Sequence, residues 1–133
     1  MKFKKFEKKD RSSFNYWFNH WKAYNWVAWR LRVWSPRFLL HDIEKPWLMW
    51  LWKDYPRVQK YHRTHSRHHL AYQGKNERDW LGIVLDWECS RYTKIASPRT
   101  ARQEAERVER EGTIQEATMV RRHIYPVLIE LGL

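Results

Sequence analysis

The chain has 133 residues and one cysteine, Cys89, so it is long enough to bury a core as one domain and has no second thiol for an intrachain disulfide. A formal net charge of +11 favours anionic partners (nucleotides, nucleic acid or acidic lipid) without choosing among them. The longest apolar run, Trp47 to Trp52, falls far short of the roughly 20 residues of a membrane span, and no apolar signal segment follows the basic start; the sequence reads as a soluble, cytoplasmic protein.

Residues 1–11 carry six Lys/Arg against Glu7 and Asp10, and read as a basic, solvated, flexible tail ahead of a single domain over 12–133. Ser12 or Ser13 caps a first helix, in which Phe14, Trp17, Phe18, Trp21, Tyr24, Ala28 and Leu31 recur at three- and four-residue steps to about Val33. Ser35 and Pro36 start a second helix, which Pro46 ends or kinks just after Lys45. "WLMWLWKDY" reads as a short buried helix. Pro56 opens the next, through a histidine cluster to about Ala71, and "YQGKNE" is a loop. Arg78 to Ile95 forms another helix with Trp80, Ile83, Val84 and Trp87 on its apolar face and Cys89 as a small core residue. "ASPRT" starts a charged, solvated helix from Ala96 to Glu111, stopped by Gly112. Thr113 and Glu116 form a capping-box signal for a last helix, kinked at Pro126. With no alternating strand pattern, the expectation is an all-α, single-domain bundle of six or seven helices. Eight of the ten tryptophans lie between Trp17 and Trp52, and at helical spacing most are expected in the core.

Four of the seven histidines fall in "YHRTHSRHHL". If that segment is helical, His62, His65 and His69 share a face, with His68 one turn from His65. Such imidazoles can converge on one transition-metal centre; Arg63 and Arg67, interleaved, suit solvent or a phosphate. The alternative is a polar, partly basic helix face. Upstream, "HDIEK" sets His41 and Asp42 side by side, with Lys45 three residues past the aspartate. His20 is bordered at helical spacing by Trp17, Tyr24 and Val27, so it is not fully solvated. Asp86 interrupts the apolar run "IVLDW" and needs a partner, because a buried unpaired charge is costly. That partner is a metal, or an arginine such as Arg30 or Arg91. Nitrogen and oxygen ligands in this mix suit Mn, Fe, Co, Ni or Zn better than Mg or Ca.

The order His20, His41–Asp42, Asp86 resembles the H…HD…D signature of the HD-domain metal-dependent phosphohydrolases, and "HDIEK" matches their HDxxK form. The chain also resembles a small family of phage and bacterial proteins with "HxW", "HDxxK", a histidine followed by an "HH" pair, and "DW", over about residues 15–107. The resemblance implies an HD-like all-α scaffold and metal-assisted hydrolysis of a nucleotide or other phosphate ester. His20, His41, Asp42 and Asp86 would hold one ion, and His62 and His69, with Asp42 bridging, a second. Asp42 and Lys45 would be the catalytic residues, with Lys45 stabilising phosphoryl charge. Arg63, Arg67, His65 and His68 would contact the rest of an anionic substrate. A rival reading is a nucleic-acid-binding module without catalysis, supported by the +11 charge and by aromatics among Arg and Lys in "WVAWRLRVW". A third is peripheral membrane or partner binding, with "PWLMWLW" as an exposed anchor.

Overall fold

In the computed structural model the described residues are 3–65, 69, 77–95 and 98–133. They form an all-α bundle: α1 (Phe14–Arg30), α2 (Glu44–Trp52), α3 (Tyr55–His65), α4 (Glu77–Ser90), α5 (Ala101–Glu111), α6 (Ile114–Met119) and α7 (Tyr125–Leu131). Short 3-10 turns lie at Lys8–Asp10 and Pro36–Leu40. Among the described residues the only β-type pairing is an isolated bridge between Phe6 and Lys94, and no helix is long and apolar enough to cross a membrane.

The helix ends follow local chemistry. Ser13, in extended backbone, accepts a hydrogen bond from the Tyr16 amide and opens α1. Three residues short of the expected end, α1 stops at Arg30, because Arg32 turns left-handed (φ 62°) and the Val33 amide bonds back to the Ala28 carbonyl. α4 likewise ends at Ser90 rather than near Ile95, where Lys94 leaves to pair with Phe6. α5 starts at Ala101, later than expected, behind a capping box of Thr100 and Gln103. The predicted box of Thr113 and Glu116 is present, and Gly112 closes α5. Pro126 has no amide to give the Arg122 carbonyl, and the chain widens into a π-helical turn, Val120–Ile124, between α6 and α7. α3 is described to His65; most of its expected extension to Ala71 and the "YQGKNE" loop lie outside the described residues.

Packing centres on α4, which is buried on two faces. Ile83 and Val84 meet Ala101, Ala105 and Val108 of α5 and Val120, Ile124 and Leu128 near the C-terminus. Leu85 and Cys89 meet Ala23, Tyr24, Val27 and Ala28 of α1, together with Phe38. The small alanines let α1 and α5 approach α4 closely, and a helix apolar on both sides belongs in the middle.

Four expectations change here. The buried stripe of α1 is Tyr16, Asn19, His20, Ala23, Tyr24, Val27 and Ala28, whereas Phe14 and Phe18 of the predicted stripe are exposed. Apolar residues occupy most of this helix's circumference, so spacing alone does not choose the covered side. α2 has no buried residue, and Trp47 and Trp50 are 64% and 68% exposed. None of the ten tryptophans is fully buried. Pro46 lies in the first turn of α2, not at the end of a helix, since the missing amide there has no intrahelical partner to lose. Finally, the tail is docked in part. Phe6 is buried against Tyr16, its amide bonds the Thr93 carbonyl at 2.8 Å, and Asn19 donates to the Lys4 carbonyl at 2.6 Å.

Candidate metal centre

Three elements converge at the centre. His20 comes from the buried stripe of α1 and Asp86 from the inner side of α4. His41 and Asp42 lie on neither helix: they occupy the tight turn between the Pro36–Leu40 3-10 turn and α2. α1 shapes that turn through its own side chains. Trp17 Nε1 donates to the Asp42 carbonyl at 2.8 Å, Trp21 Nε1 to the Leu39 carbonyl at 2.9 Å, and Asn25 Nδ2 to the Phe38 carbonyl at 3.2 Å. Asp42 is left-handed (φ 56°), a conformation its short polar side chain tolerates better than most. It turns two successive side chains, His41 and Asp42, inward together. Tyr24 holds the His41 ring by stacking at 3.6 Å between centroids.

The tips of these side chains meet. His20 Nε2 lies 3.0 Å from Asp86 Oδ1 and 3.6 Å from Asp42 Oδ2. His41 Nε2 lies 3.3 Å from His20 Nε2, 3.3 Å from Asp86 Oδ1 and 3.4 Å from Asp42 Oδ2. All four residues are buried. Donors bound to one ion at about 2.1 Å with tetrahedral angles stand about 3.4 Å apart, so the observed edges fit a four-donor shell. One cation at their centre would satisfy two imidazole nitrogens and two carboxylates at once. His20, His41, Asp42 and Asp86 can therefore hold a metal ion. Of the two arginines considered for Asp86, Arg91 pairs with Glu88, and Arg30 reaches the Tyr92 hydroxyl.

A second donor set adjoins the first through Asp42. His62, buried on α3, places Nε2 3.0 Å from Asp42 Oδ1, and its Nδ1 makes a short contact with Glu44 Oε1. Asp42, Glu44 and His62 form a second group able to hold an ion. Burial disfavours charge on His62, but the hydrogen bond and charge of Asp42, with the Glu44 bond, outweigh it and raise its pKa. Burial also works against the Glu44 carboxylate, and the bond and charge of His62 outweigh it and lower its pKa. The His69 ring packs edge-on to His62 at 4.7 Å. Lys45 Nζ is 3.5 Å from Asp42 Oδ2; burial opposes its charge, yet Asp42 and Asp86 hold its pKa above the usual lysine value.

The other predicted contacts divide. Arg63 lines a cavity of about 830 Å³ beside the centre, together with Lys45, His69 and Asp86. His65 turns away: it is exposed, stacked on Tyr61 at 4.0 Å and placed in neither cavity that opens on the centre. Three residues after His62, it faces outward while His62 points in. Arg67 and His68 lie outside the described residues. Glu44 was not picked from the sequence, although its place two residues after Asp42 in "HDIEK" was the available signal. Arg11 and Lys94, which also line the large cavity, carried no sequence signal at all.

No protein-family model matches this chain, and no curated protein or solved structure is significantly similar to it.

Proposed function

We propose that this chain is a metal-dependent phosphohydrolase of the HD type, acting on a nucleotide or another phosphate ester. The observation that carries the reading is the convergence of His20, His41, Asp42 and Asp86 on one buried point beside the Lys45 ammonium. The order of these residues along the chain, and the HDxxK form of "HDIEK", support it. A divalent transition ion bound there supplies Lewis acidity and a water of lowered pKa. The protein's own groups do the rest. His20, His41, Asp42 and Asp86 present the donor set, with Asp42, Glu44 and His62 as a second one. Lys45 stabilises charge on the phosphoryl oxygens as a point cation. Arg63, on the wall of the larger cavity, attracts the remaining negative charge of the substrate.

The test is metal content by mass spectrometry, on untagged protein and on Asp42→Ala, followed by a phosphatase screen on the loaded protein. One or two transition ions per chain, lost in the variant, together with phosphate release that needs Asp42, are expected. A protein that takes up no Mn, Fe, Co, Ni or Zn would sink the reading.

A second reading draws on the exposure of Trp29, Trp34, Trp47 and Trp50 on a chain of net charge +11: these rings can stack on unpaired bases. Single-stranded nucleic acid would then bind without metal and lose affinity steeply with salt. Binding that is absent at low salt would remove this alternative.

A further inference from the structure

Two unlike cavities meet at the centre. One, of about 300 Å³, is walled by Phe14, Trp17, Pro46, Met49 and Trp50. The other, of about 830 Å³, carries Arg11, Lys45, Arg63 and Lys94. Both include His20, Lys45 and Arg11, so the apolar space and the cationic space share a boundary at the donor cluster. For scale, a cavity of about 150 Å³ holds a benzene ring.

Arg11 and Lys94 are gathered by the fold. The Phe6–Lys94 bridge, with the Ile95 amide on the Phe6 carbonyl at 3.1 Å, brings Lys94 beside the docked N-terminal segment that continues to Arg11. Arg11 Nε is buried and has no hydrogen-bond partner among the described residues. Lys94, like Arg11, is half-buried, and burial holds its pKa below the usual lysine value; the Asp86 charge opposes this, while Arg11 and Lys45 add to it. The cationic side chains on this wall outnumber its carboxylates, Asp86, Glu104 and Glu116, so the space favours an anion.

We propose that the ligand of this site is an amphiphilic phosphate: Arg11 and Lys94 join Lys45 in binding its phosphoryl oxygens, and a compact apolar group on the same molecule fills the aromatic cavity. This deepens the phosphohydrolase reading and rests on it for the chemistry, but not for the binding. Phosphonates are suitable probes, since their carbon–phosphorus bond survives a phosphatase. Calorimetric titration of the full chain with phenylphosphonate and methylphosphonate, with and without added Mn, reads both halves of the site.

Phenylphosphonate is expected to bind about tenfold tighter or more, the share of an aromatic ring leaving water. Trp50→Ala narrows that gap and leaves methylphosphonate unchanged. Arg11→Gln and Lys94→Gln each weaken both probes by about tenfold, the worth of a charged hydrogen bond, with metal content intact. Should Lys94→Gln fail to fold, Arg11→Gln carries this arm. Equal affinity for the two probes, or wild-type binding by Arg11→Gln, overturns the inference. A loaded chain without these preferences refutes this inference alone. A chain that shows them but takes up no metal refutes the phosphohydrolase reading and upholds the ligand class.

Discussion

Replacing Glu44 by glutamine tests whether this carboxylate orients His62 toward Asp42. The contact joins an acid whose pKa is lowered to a histidine whose pKa is raised, so it is charge-assisted. Hydrogen bonds to charged groups contribute about 1.5–3 kcal/mol. The Glu44 side chain is 35% exposed, which screens part of that, and the glutamine oxygen still accepts from Nδ1. The remaining loss is about 1 kcal/mol, or about 3–5 °C in melting temperature for a domain of this size. The effect on metal is larger. A residue that fixes the ring and tautomer of a ligating histidine changes affinity by about 10–100-fold. Glu44→Gln is therefore expected to melt slightly earlier without metal and to bind Mn or Ni far more weakly. Thermal unfolding of the metal-free protein and calorimetric metal titration measure the two effects. An unchanged metal affinity would show that Glu44 neither positions His62 nor serves as a donor of the second set, and the argument would fail.

Other outcomes follow from the same contacts. In metal-free protein, the raised pKa of His62 contributes stability that is complete below the ordinary value of about 6.5 and is lost as pH rises through its folded value. The lowered pKa of Glu44 contributes stability present above about 4.3 and lost as pH falls through its own folded value. Melting temperatures should peak between these limits and flatten in Glu44→Gln; a curve still climbing above pH 8 would contradict the pairing. Phe6→Ala should cost about 3 kcal/mol in urea unfolding, whereas a solvated tail would show no loss. Leu128→Ala, at a fully buried position remote from the donors, should cost about 2–5 kcal/mol and leave metal content intact; loss of metal at full stability would contradict the separation of core and centre.

Local signals in the sequence determined much of this protein. The helical class, the Ser13 cap, the Thr113 and Glu116 box and the Gly112 stop depend on residues within a turn of one another, whose chemistry is the same in any fold. The residues of the centre were legible as types: two histidines and two aspartates set into apolar surroundings were candidate ligands, with a paired structural role as the alternative. Their meeting was not. His20 and Asp86 are 66 residues apart, and the turn that aims His41 and Asp42 inward is held by α1 side chains such as Trp17, 25 residues before Asp42. Tertiary packing alone decided that no residue of α2 is fully buried, that Phe14 and Phe18 are exposed, and that Phe6 bridges to Lys94. Helical spacing states that a side can be buried. Which side is buried depends on what packs against it, and here apolar residues surround both α1 and α2, so the choice fell to their neighbours.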